Sequence, residues 1–140
     1  MVTNKALSSN EDFEKKLAWK TAKDFYSWLL GNEIKFPEDQ EFVNKLYFRQ
    51  AAAQQMSYIA EGFGRLERKD KFASFQVALG ANSVAKSYLI FCKDQNYLKS
   101  NSVYVLQISK LDLIKKEVKK IIDEIGYTLT EHYENKKGGQ

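Results

Sequence analysis

Tyr58-Ile59-Ala60-Glu61-Gly62-Phe63-Gly64-Arg65 separates two long helical patterns, and the rest of the chain is read outward from it. Before it lies a stretch rich in Ala and Gln. After it comes a short basic segment, Arg65-Leu66-Glu67-Arg68-Lys69-Asp70-Lys71, and then another helical pattern. Two glycines spaced by one aromatic, with charges on either side, point to a helix terminus capped by glycine and not to a helix interior.

On the N-terminal side, Pro37-Glu38-Asp39 predicts the start of the helix that ends there. Proline is tolerated in a first turn and acids favour its positive end. Phe42, Val43, Leu46 and Tyr47 anchor this helix, and Ala51-Ala52-Ala53-Gln54-Gln55 gives it a small-sided middle of high propensity. Farther back, Ser9-Asn10-Glu11-Asp12 offers an N-cap for a helix from about residue 11. Phe13, Leu17, Ala18, Ala22, Phe25, Trp28 and Leu29 recur there at spacings of three and four, until Gly31-Asn32 and Phe36-Pro37 close the segment.

On the C-terminal side, a third helix is predicted over 68–94. Phe72, Phe75, Leu79, Leu89 and Phe91 supply its bulk, and Ala78 to Ser83 form a second small-residue centre. Two such centres on consecutive helices predict a tight crossing, and Gly80 in mid-helix, costing about 1 kcal/mol relative to Ala, calls for a packing reason. A fourth helix is predicted over 102–131. Its Leu111, Ile114, Val118, Ile121 and Ile125 follow the three-four-three-four spacing of a bundle seam. No stretch alternates with period two. The fold class is therefore all-α, an antiparallel up-down four-helix bundle over residues 11–134, with a disordered leader over 1–10 and a disordered tail over 135–140.

Bulk composition bounds the function. One domain accommodates 140 residues. A single Cys92 excludes an internal disulfide and a multi-cysteine metal site. No apolar run approaches the ~20 residues of a membrane span, and Met1 to Asn10 lacks an apolar signal core, which reads as cytoplasmic with no membrane partner. With His132 the lone histidine, near the end of the last helix, nucleophilic triads have no place to form. Glu-x-x-His pairs of a di-metal bundle are absent, and Gly62-Phe63-Gly64 lacks the lysine and preceding strand of a phosphate loop. Neither a catalytic residue, nor a metal, nor a cofactor is expected.

The net charge of +4 is unevenly placed. Lys and Arg balance Asp and Glu at 8 against 8 in residues 1–60, but stand at 7 against 4 in residues 61–99. Arg65, Arg68, Lys69 and Lys71 read either as a solvated turn or as a phosphate-contacting patch at one end of the bundle. Glu61, at the negative end of a helix dipole, is expected to pair with Arg65, since Arg49 lies about 18 Å away along the same helix. Lys115, Lys116, Lys119 and Lys120 read chiefly as an exterior laced with i,i+4 pairs to Asp112, Asp123 and Glu124, with nucleic-acid contact as the alternative. Aromatics Trp19, Trp28, Tyr47, Phe48, Phe63 and Tyr88 exceed what a narrow seam holds, which predicts a partner surface, self-association first.

Ile59-Ala60-Glu61-Gly62-Phe63-Gly64-Arg65 followed by Ala78-Leu79-Gly80 resembles the motifs of the bacterial four-helix-bundle family named after 23S rRNA intervening sequences. Leu17, Trp19 and Ala22 resemble its L-x-W-x-x-A pattern, and Arg49-Gln50-Ala51-Ala52 its R-R-A-A. The resemblance spans roughly residues 13 to 130. It implies a non-enzymatic bundle assembling as a homopentamer. It also implies a distant relation to the accessory variability protein of diversity-generating retroelements, hence RNA or DNA binding and a reverse transcriptase as partner. Met56 and Tyr58 stand where that family has proline and asparagine, and Val84 and Lys86 where it commonly has acids. These changes shift the third helix towards positive charge. Arg49, Arg65, Arg68, Lys69, Lys71 and Lys86 are the candidate nucleic-acid contacts. The alternative is a structural or protein-interaction scaffold with no nucleic-acid ligand.

Overall fold

The computed structural model describes residues 10–39, 41–127 and 133–134. A 3₁₀ turn, Asn10–Lys15, leads into four helices: α1 (Leu17–Leu30), α2 (Glu41–Gly64), α3 (Arg68–Asp94) and α4 (Asn101–Ile125). Each helix packs on the one before it and α4 closes against α1. The expected leader up to residue 9, the tail over 135–140 and His132 lie outside the described residues.

Cross-helix hydrogen bonds give the directions. Lys71, at the start of α3, donates to Gly62 O and Phe63 O at the end of α2. Arg68, also at the start of α3, donates to Ile125 O and Gly126 O at the end of α4. Asn82 in mid-α3 reaches Gln55 in mid-α2 and Leu111 in mid-α4. The start of α1 (Leu17, Ala18) lines one cavity with the end of α4 (Ile121, Ile125). Starts meet ends and middles meet middles, so the neighbours run antiparallel.

The boundaries depart from the sequence reading in four places. The first helix is broken: Asp12 is non-helical (φ −99, ψ 35) and Lys16 is extended (φ −81, ψ 134), which sets the Phe13 ring edge-on to Trp19 at 5.1 Å. The second helix starts at Glu41 and not at Pro37. The chain ahead of it is held instead by buried Ile34, by the Lys35 N–H donating to Tyr97 O (2.8 Å) and by Phe36 against Tyr97. The fourth helix stops at Ile125, because Gly126 adopts a left-handed cap (φ 71) and returns its N–H to Ile122 O and Asp123 O.

The fourth departure is at the opening stretch. Gly62 lies inside the last turn of α2, and Gly64 ends the helix without the positive φ of a glycine cap. Gly62 has a different reason to be glycine. A Cβ there would lie 2.6 Å from the Phe75 ring, closer than carbon atoms can stand. Its missing side chain lets α3 press an aromatic onto α2, and Phe75 in turn meets Phe63 edge-on at 5.2 Å.

The core runs the length of the bundle: Phe25, Phe48, Ile59, Phe75, Leu89, Leu111, Ile114 and Val118 are fully enclosed, each worth about 1.5–3 kcal/mol by burial. The two small-residue centres meet as expected, with Ala51, Ala52, Ala78, Ala81 and Ala85 all buried. Between them lies a polar layer that apolar periodicity conceals. Gln55, Asn82 and Gln107 are buried, and Asn82 Nδ2 donates to Gln55 Oε1 (2.7 Å) and Leu111 O (2.8 Å). The surplus aromatics are largely absorbed inside: Phe48 and Phe63 are buried and Trp19, Trp28 and Tyr88 pack against the core, leaving Tyr47 exposed.

Candidate functional site

The six candidate cations do not form one patch. Arg65, Arg68 and Lys69 gather at the α2–α3 turn. Lys86 lies 18 residues along α3 from Arg68 and Arg49 lies 16 residues before Arg65 on α2, so each is roughly 25 Å from the turn. Most are also engaged within the chain. Arg65 Nη2 binds Glu61 Oε1 at 2.6 Å, the pair expected from the sequence, and Ser74 Oγ donates to the other Glu61 oxygen. Arg68 binds the α4 terminus and lies over the Tyr127 ring. Lys86 pairs with Asp112 at 2.8 Å, Arg49 donates to Asn32 Oδ1 at 3.0 Å, and Lys69 lies 3.8 Å from Glu67.

Lys71 leaves the candidate set altogether. It is only 2% exposed, and its ammonium donates to Gly62 O (3.3 Å) and Phe63 O (3.1 Å), where the α2 dipole is negative. Burial pushes its pKa below the ordinary lysine value. A side chain so placed does not present its charge to an external phosphate.

The face that is open lies on α4. Lys115, Lys116, Lys119 and Lys120 are exposed and, among the described residues, none forms an ion pair. The expected i,i+4 pairs to Asp112, Asp123 and Glu124 do not form; Asp112 instead reaches across to Lys86 on α3. These four lysines fall one turn apart in two adjacent rows, about 6 Å per step. That spacing is comparable to the phosphate repeat along a nucleic-acid strand.

A second open feature runs along α3. Ala73, Val77, Gly80, Val84, Ser87 and Phe91 are all exposed, at spacings of four, three, four, three and four. Val77, Val84 and Phe91 are 44%, 46% and 42% exposed, and a Cβ on Gly80 would meet nothing within 4 Å. The packing reason expected for Gly80 is thus absent among the described residues, and Phe91 belongs to this stripe, its edge against Tyr97, and not to the core. The heptad spacing was present in the sequence but was masked by the stronger apolar signal of the buried face.

Cys92 is fully buried in apolar surroundings, which raise its thiol pKa to about 12, so no thiolate nucleophile is available near neutrality. Among the described residues no group of three His, Cys, Asp or Glu is placed to hold a metal ion. No helix of the described residues is long and apolar enough to cross a membrane.

An all-α antiparallel bundle with an exposed lysine face on α4 and a glycine-mediated α2–α3 contact is the class these features define. Residues 14–126 match the model of the 23S rRNA-intervening sequence protein family, and the chain belongs to that family. Neither a curated protein nor a solved structure matches it.

Proposed function

We propose that this protein is a non-catalytic, self-associating bundle of the cytoplasm that binds structured RNA through the α4 lysines, with Arg65 and Lys69 at the bundle end as secondary contacts. The observation that carries the reading is the row of four exposed lysines that make no ion pair among the described residues. Releasing counterions from phosphates rewards cations that are free to leave water, whereas Lys86 and Arg65 must first give up carboxylate partners. The family's association in name with an rRNA insertion fits an RNA ligand. The α3 stripe supports self-association, in the five-membered ring that the resemblance implies: it has the spacing of a coiled-coil seam, and Gly80 lets a neighbouring helix approach closely.

The test is fluorescence anisotropy of a labelled RNA hairpin titrated with the wild-type protein and with a variant carrying Lys115, Lys116, Lys119 and Lys120 all changed to Ala. Binding weakened by roughly a hundredfold, about 0.7 kcal/mol per lysine, is expected. Equal affinities would remove the α4 face from the account.

The same α3 stripe favours a second reading, in which it docks a different protein, a reverse transcriptase or other ribonucleoprotein component, and no RNA is contacted directly. A complex with such a protein that survives nuclease and high salt, together with wild-type RNA affinity in the quadruple variant, would favour it.

A further inference from the structure

A cavity of about 150 Å³ lies at the end of the bundle where α2 finishes, α3 begins, and the start of α1 faces the end of α4. One part of its wall is apolar, made by Phe63 and Phe75, already fixed edge-to-face by the close approach at Gly62, and by Ile121 and Ile125 from α4, while charged side chains of α1, α3 and α4 complete the lining. An apolar protein cavity of this volume takes up a single benzene-sized ring. What sets it apart is Lys71, which also lines it.

Lys71 is 2% exposed and, among the described residues, forms no ion pair. An ammonium group has three protons to donate. Two are taken by Gly62 O and Phe63 O, leaving the third with no partner among the described residues. A buried cation without a carboxylate is costly unless something neutralises it. The acids that border the cavity on α4 are the half-buried Glu117 and the exposed Glu124, with Lys120 between them in sequence and Lys16 over the Phe63 ring. Neither forms an ion pair with Lys71, whose pKa is lowered by burial.

We propose that this cavity binds a small organic anion, a monocarboxylate with a single-ring or similarly sized apolar body, its carboxylate on the Lys71 ammonium and its body among Phe63, Phe75, Ile121 and Ile125. The cation of this site, Lys71, is not one of the RNA-contacting lysines, although Lys120 of that face stands at the edge of the cavity. It also gives the Glu61-Gly62-Phe63 motif a use beyond the turn. Gly62 admits the Phe75 wall, while the α2 terminus holds the lysine in place.

Isothermal titration calorimetry with sodium benzoate and with its neutral isostere benzamide tests it on the full-length protein. Benzoate is expected to bind with a Kd of about 0.1–1 mM, and benzamide roughly tenfold more weakly. Lys71→Met should bring the two ligands to equal affinity. Ile121→Trp, which fills the cavity from the partly exposed side of α4, should abolish binding of both and leaves Lys71 in place should Lys71→Met fail to fold. No saturable binding of benzoate by the wild type, benzamide binding as well as benzoate, or unchanged uptake by Ile121→Trp would each overturn the proposal.

Discussion

Two glycines in adjacent helices show how differently one residue type is used. At Gly62 the Phe75 ring, 1% exposed and edge-on to Phe63, has no room to yield to a Cβ 2.6 Å away. Gly62→Ala should therefore lose about 1–2 kcal/mol of stability in urea unfolding, the overpacking cost exceeding the gain in helix propensity. Gly80→Ala, with open space at its Cβ, should instead gain about 0.5–1 kcal/mol for the single chain. Cys92 offers a third residue-level check. Its folded pKa of about 12 stands above its ordinary value of 9.0, so above pH 9 the unfolded state releases a proton that the folded state keeps. Stability should fall as pH rises from about 9 to 12, and Cys92→Ser should flatten that part of the profile. A thiol reagent at neutral pH should react only as the protein unfolds.

At the scale of an element, α3 carries two faces of opposite use. Its inner face holds Asn82, whose amide ties α2 to α4; Asn82→Ala would strand Gln55 Oε1, while Leu111 O keeps its helical N–H partner, and should cost about 2–3 kcal/mol in urea unfolding. Its outer face is the Val77, Gly80, Val84 stripe. Val77→Lys with Val84→Lys should leave the helix content unchanged by circular dichroism while reducing the associated mass in light scattering. The helices themselves were legible because apolar residues recur with the helical period, and the α3 bounds of 68–94 were read from that period alone. Their starts and stops were less so. Gly62 looks like a cap until its contact with Phe75 is known, whereas Gly126 is a cap that the run of seam residues concealed. The candidate site was less legible still, because ion pairing depends on neighbouring helices. The sequence pairs Asp112 with Lys116 one turn on, but the fold brings Lys86 to it and leaves the α4 lysines open. Burial of Lys71 likewise follows from α2 ending beside it, which charge counting along the chain does not register.

For the whole molecule, association and RNA binding are separable claims. Five chains of 16.2 kDa would scatter as about 81 kDa, and a monomeric mass for the wild type would remove the ring and the role given to α3. RNA binding rests on α4 and survives that result. A protein that neutralises phosphates with four lysines releases their counterions, so the logarithm of its affinity falls linearly with the logarithm of salt concentration. The most direct measurement is therefore that slope for one RNA hairpin. The account predicts about −3 to −4 per protein chain, shrinking by roughly one for each of Lys115, Lys116, Lys119 and Lys120 changed to Ala. A slope near zero, or one that these substitutions leave unchanged, would contradict it.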